Sequence, residues 1–325
     1  MRGLGAAAGL LTLCFVVARS SAARPTLWER AHAPAAVLEE RLGTRLEYWL
    51  EQQETAGRDP SYFQEFVRAG VGDIDRVHVR APEDPRLACD MAKILLDAGV
   101  GREAEAEALL VAALPRLPPG SLKRRAWLDL GIARAERGDS AGARAAETES
   151  LELAVGSDER AQALALRAAS EDRLGDLRRA ESDYRLAVTL AADPVTQALA
   201  RFGLAVTLER LGDVPAAQGA FDAGLLVRLP LAHYTTDEPL ELPGLYFFPR
   251  YERFYLTALV AMARARHDDD PHARRVDYEA AVEEWDAYLL AAGPAEPWLE
   301  HARRHREFCA GELRKLPDRH RHPKN

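Results

Sequence analysis

Three arrangements in the chain have the spacing of reactive sites. Gly138-Asp139-Ser140-Ala141-Gly142 fits G-x-S-x-G, the sharp strand-to-helix turn that exposes a serine nucleophile. Gly99-Val100-Gly101-Arg102-Glu103-Ala104 partly fits the Gly-rich turn that lets a backbone approach a pyrophosphate. His301 and His305 are four residues apart, the spacing that puts two metal ligands on one helix face. Each chemistry needs a particular element beneath it. The first two need a strand in front, and here helix-forming residues precede both: Leu87 to Asp97 runs into Gly99, and the residues ahead of Gly138 are equally helical. At the place of Ser140, two later segments carry Leu177 and Val214. Ala302, Arg303 and Arg304 separate the two histidines, and the positive charge opposes a cation. His267-Asp268-Asp269-Asp270 and His320-Arg321-His322 read as a solvated loop and a chain end. The expectation is no catalytic residue, no metal ligand and no cofactor.

The elements that carry these residues repeat. Glu136-Arg137-Gly138-Asp139, Arg173-Leu174-Gly175-Asp176 and Arg210-Leu211-Gly212-Asp213 are the same turn three times, with glycines 37 residues apart. The same period returns Gly131, Ala168 and Ala205, then Ala143, Ala180 and Ala217, then Ser150, Ala187 and Gly224. Glycine ends a helix because it tolerates a positive φ, and an aspartate after it caps the next helix. Small residues on both sides of the turn let two antiparallel helices close to about 8–10 Å. Ala, Arg, Leu and Glu dominate, and all favour helix.

This pattern resembles the tetratricopeptide repeat. Trp127, Leu130, Gly131 and Ala143 match it in one unit, Ala168, Ala180, Tyr184 and Ala187 in the next, and Leu204, Ala205, Leu208, Ala217 and Phe221 in the third. The departures are a period of 37, no unit-ending proline, and Arg134, Glu147 and Glu171 at places usually apolar. A fainter unit spans Pro85 to Leu117, and Tyr278 to Trp285 reads as the second helix of a late unit whose first helix is Glu252 to Arg266. The resemblance implies an all-α fold: a right-handed α-solenoid of four to five helix pairs, with a capping helix over Pro297 to Leu316. The expected division is residues 1–23 leader, 24–84 N-terminal helical segment without a defensible register, 85–228 repeat array, 229–250 Pro- and aromatic-rich loop, 251–316 degenerate repeat and cap, and 317–325 tail.

The resemblance also implies a concave groove lined by the first helix of each unit. Arg125, Leu128, Ile132 and Glu136 line it in one unit, Gln162, Asp172 and Arg173 in the next, and Leu199, Phe202, Val206, Glu209 and Arg210 in the third. The family's clamp on a C-terminal carboxylate relies on asparagine; the one asparagine here is Asn325, so that clamp is not expected. A second candidate surface is the loop. It holds Pro230, Pro239, Pro243 and Pro249, and seven of the 18 Phe and Tyr residues fall between Tyr234 and Tyr255. Tyr234, Tyr246, Phe247, Phe248 and Tyr251 either plug a gap between repeat blocks, form a binding site, or do both.

Composition bounds the partners. The chain has 43 basic and 51 acidic side chains, a net charge of −8, which disfavours a phosphate-backbone partner. Arg2, the apolar run Leu4 to Val17 and the small residues Ser20 to Ala23 have the form of a cleaved leader, so the protein is expected to be exported, periplasmic or secreted. Cys14 follows Leu13, which is too large for a lipoprotein site. No other segment is long and apolar enough to span a membrane. Cys89 and Cys309 lie in distant units, so both are expected as buried free thiols. The expected function is a non-catalytic scaffold that holds a protein partner. The rival is an enzyme or sugar-binding protein that uses segment 234–255 as its pocket, with Asp237, Glu238, Glu241 and Glu252 as carboxylates.

Overall fold

The computed structural model describes residues 35–56, 60–77, 82–225, 247 and 249–317. The leader-like residues, Tyr234, Tyr246, Phe248, the three acids ahead of Glu252 and the His320–His322 stretch lie outside them. Thirteen α-helices follow one another among the described residues: α1 (Ala35–Ala56), α2 (Pro60–Val77), α3 (Pro85–Ala98), α4 (Glu103–Ala113), α5 (Ser121–Glu136), α6 (Ser140–Leu153), α7 (Ser157–Arg173), α8 (Leu177–Leu190), α9 (Pro194–Arg210), α10 (Val214–Leu225), α11 (Glu252–His267), α12 (Pro271–Ala291) and α13 (Leu299–Leu313). They pack as successive antiparallel pairs in chain order, and the fold is an all-α solenoid of tetratricopeptide-like helix pairs.

The repeated turns form as their composition dictates. Gly138, Gly175 and Gly212 have φ of 81°, 81° and 83°. In each, the aspartate N–H after the glycine reaches back to a helix carbonyl at 2.9 Å: Asp139 to Arg134, Asp176 to Glu171, Asp213 to Leu208. This closes the last turn of the helix with an otherwise orphaned acceptor. Asp139 and Asp213 then cap α6 and α10 by accepting from Gly142 N at 2.9 Å and Ala216 N at 3.2 Å. Asp176 instead faces Arg144 and Arg179.

The small residues sit where the helices touch. A Cβ on Gly131 would lie 2.8 Å from Glu147 Cγ, so the glycine makes room for the facing helix. Ala168 with Tyr184, and Ala205 with Phe221, repeat the arrangement in buried clusters. Three larger apolar clusters run along the stack. One centres on Met91, Ile94, Leu95 and Leu110, one on Leu164, Tyr184 and Leu204, and one on Phe202, Tyr255, Trp285 and Tyr288. Cys89 lies in the first and Cys309 in the last; both are buried and free, and burial pushes their thiols up to about 12 and about 11.

Two expectations are corrected. The described chain has six pairs and a cap, not four to five, because α1 and α2 form a further pair. Leu42 and Leu46 are fully buried beside Leu87, and Asp73 accepts from Trp49 Nε1 at 3.0 Å and pairs with Arg45 at 2.8 Å. The cap begins at Leu299 rather than Pro297, because Pro297 falls in a turn.

Candidate functional site

The reactive-looking motifs resolve into helix punctuation. Ser140 opens α6 directly after α5 and its turn, is buried, and accepts from Arg173 Nε at 3.3 Å. Gly99 is the left-handed cap of α3, with φ 60°. A Cβ there would collide with the Arg250 guanidinium, so this glycine also seats an incoming side chain. Asp268 and Asp270 are spent on the start of α12; Asp270 accepts from His272 N at 3.0 Å.

The residues expected along the groove divide into two sets. Arg125, Leu128, Ile132, Gln162 and Leu199 line a cleft of about 230 Å³ walled by α3, α5, α7 and α9. Its apolar side is Leu128, Ile132, Leu166, Val195 and Leu199. Its charged side comes mainly from α3 and α5, and Gln162 and Thr196 add polar groups from α7 and α9. Lys93 grips both oxygens of Asp97, at 2.8 and 2.7 Å, and Arg125 lies 3.4 Å from Asp90. Burial raises Asp90 and Asp129 to about 6, despite the opposing pull of Arg125 on the first and Lys93 on the second. Asp129 Oδ2, Arg124 Nη1 and Arg125 Nε are buried without a hydrogen-bond partner. Glu136 does not face the cleft freely. It pairs with Arg250 at 3.3 Å, and burial raises its pKa.

The second set is not open to a partner, which corrects its expected role. Phe202 and Val206 are core, and Asp172, Arg173, Glu209 and Arg210 are covered by the C-terminal helices. Asp172 accepts from Thr207 Oγ1 at 2.7 Å and from Arg210. Arg210 continues to Glu252 at 2.8 Å, and its guanidinium lies over the Tyr255 and Trp298 rings. Arg173 meets Glu296 at 2.6 Å, and Tyr251 Oη donates to the same Glu296 oxygen at 2.7 Å. Glu209 accepts from Tyr255 Oη at 2.9 Å and lies against His301 and His305. Burial works to raise the Glu209 pKa, but the hydrogen bonds from the two histidines outweigh it and hold the carboxyl well below its usual range. The physical cause is long-range: α11 and α13 lay their polar residues on the exposed ends of α7 and α9 and convert a groove wall into a buried network.

Of the aromatic segment, Phe247 and Tyr251 are described. Phe247 lines a cavity of about 50 Å³ with Asp172, Arg173 and Glu252, room for a few waters and no more. Glu252, the rival reading's one described carboxylate, has Arg173 3.5 Å from Oε1 and Arg210 2.8 Å from Oε2. Arg250 goes furthest: it reaches the Leu96 carbonyl at the end of α3 and Glu136 at the end of α5. For its described residues the segment folds back onto the array and forms one end of the cleft.

Sequence reasoning missed Lys93, Asp129, Glu296 and Arg250. The first two lie in helices whose repeat register was legible, so their places on the inner face could have been counted out; the other two depend on tertiary closure.

No protein-family model matches the chain, and no curated protein does. Solved structures do resemble it at low identity. BtubC (BKLC) from P. vanneervenii is 16% identical over 62% of this chain and 94% of that one, with a TM-score of 0.43. The APC/C hetero-tetramer Cut9-Hcn1 is 15% identical over 85% of this chain and 48% of that one, with a TM-score of 0.47.

Proposed function

We propose that the chain is a non-catalytic, exported scaffold that holds a partner protein by a short extended segment laid in the cleft between α3, α5, α7 and α9. The observation that carries this reading is the lining of that cleft. An apolar wall of Leu128, Ile132, Leu166, Val195 and Leu199 stands beside the polar side chains of Lys93, Asp97, Arg125, Gln162 and Thr196. A peptide backbone carries one donor and one acceptor per residue and so offers both complements at once. The envelope or secreted setting rests on the leader-like residues 1–23.

The test is selection from displayed random peptides on the folded chain, followed by affinity measurement on Ile132→Arg and Gln162→Arg. Both side chains line the cleft and neither is fully buried. Enriched peptides are expected to lose at least about tenfold in affinity on each variant, with helicity unchanged. No enrichment, or equal binding to the variants, overturns the reading. Export is tested separately by intact mass from the native host, with a mature N-terminus expected near Ala23 or Arg24.

A further inference from the structure

His301 and His305 stand one turn apart on α13, and Glu209 faces them from the last turn of α9. His301 Nε2 lies 3.0 Å and His305 Nε2 2.7 Å from the same oxygen, Glu209 Oε1. One ligand atom from each of the three residues falls within 4.8 Å of the others.

The surroundings hold this geometry. Tyr255 Oη donates to the other Glu209 oxygen at 2.9 Å, which orients the carboxylate and leaves Oε1 for the histidines. His305 stacks on Trp285 with ring centroids 5.2 Å apart and planes 12° apart. His301 meets Trp298 edge-on at 6.2 Å. Of the two arginines that argue against a cation in the linear sequence, Arg303 pairs with Glu300, and Arg304 is solvent-exposed and meets His301 on Nδ1, the nitrogen away from Glu209. A cavity of about 80 Å³, walled in part by Phe221, Leu256 and Met262, opens beside Glu209 and His305 and has room for a water or one further ligand atom.

We propose that Glu209, His301 and His305 bind a divalent transition-metal ion of the zinc class, with the fourth position toward that cavity. Two imidazole nitrogens and one carboxylate oxygen match zinc and its neighbours, whereas calcium and magnesium want six or more oxygens. A tetrahedral shell with bonds of about 2.0–2.1 Å sets ligand atoms about 3.4 Å apart, so Glu209 Oε1 draws back by about 0.4 Å from His301 Nε2 and about 0.7 Å from His305 Nε2, within the 4.8 Å that already holds the three ligand atoms. The ion also displaces a proton arrangement. Arg304 Nη2 lies 3.2 Å from His301 Nδ1. Arginine only donates, so Nδ1 accepts and Nε2 carries the hydrogen that points at Glu209. Coordination through Nε2 moves that proton to Nδ1 and turns Arg304 into solvent. The bound ion then fastens the cap helix to the last helix pair of the array.

The test uses the full chain, with zinc sulfate titrated by calorimetry and cobalt(II) followed by visible absorption, whose strong bands report a four-coordinate site. One zinc per chain is expected, with a dissociation constant of about 10 µM or tighter and a raised melting temperature that magnesium does not reproduce. His305→Ala and Glu209→Gln are expected to weaken binding at least about tenfold with far-UV circular dichroism retained. Arg304→Ala is expected to bind at least as tightly as the wild type. The double variant His320→Ala/His322→Ala separates the terminal His-Arg-His stretch from the site and is expected to bind unchanged. Absence of saturable zinc binding, binding that survives both His305→Ala and Glu209→Gln, or binding lost in the double variant overturns the proposal.

Discussion

Glu147 holds the place that Tyr184 and Phe221 take in the next two units, 37 and 74 residues on, and it is as buried as they are. Burial raises its pKa to about 8, with Arg167 pulling the other way and Glu171 adding to the rise. The folded chain therefore favours the protonated acid. The stability this contributes is fully present below the ordinary value of 4.5 and is lost as pH rises through about 8. Glu147→Gln keeps the shape and removes the titration. Denaturant curves at pH of about 5 and about 8 are expected to show the wild type losing more stability than the variant, by on the order of 2–4 kcal/mol; equal losses would place Glu147 in contact with solvent. That this residue breaks the apolar pattern was legible from the repeat. The His301–His305 spacing was legible too, but Glu209, 92 residues before His301, was not recognisable as their partner, because only the docking of α13 brings it there.

The turns are the most legible elements, since their chemistry is local. Gly175 has φ 81°, and a Cβ added there would meet nothing within 4 Å, so Gly175→Ala costs backbone strain without a clash. Urea unfolding is expected to show a loss of about 1–2 kcal/mol with an unchanged m-value. A neutral result would mean that α7 and α8 do not close through the left-handed turn. The α1–α2 pair was illegible for a related reason. Its helices run 22 and 18 residues against 14 to 17 in α5 to α9, so a search at the period of the array passes over it. The cap was misplaced by two residues because proline suits a first helical turn and a preceding tight turn equally well.

At the scale of the whole molecule, the C-terminal helices join the array through buried charges, and no repeat register announces such contacts. Arg173 and Arg210 read as groove residues from their places in α7 and α9, yet they serve Glu296 and Glu252. Breaking one partner of a buried pair costs about 3–5 kcal/mol, because the other is left charged and dry. Arg173→Met is expected to cost that much in denaturant unfolding and to regain most of it when combined with Glu296→Gln. Additive losses would show that the pair is not coupled. A second closure has a mechanical meaning. In an open stack each unit touches only its neighbours, so a pull on the ends peels it one unit at a time. Arg250 sits on the Leu96 carbonyl across 154 residues of chain and holds Glu136 on the way. Tension applied outside that span runs through the Arg250 side chain as well as through the repeats between, so the helices from α4 to α10 are shielded until one arginine lets go.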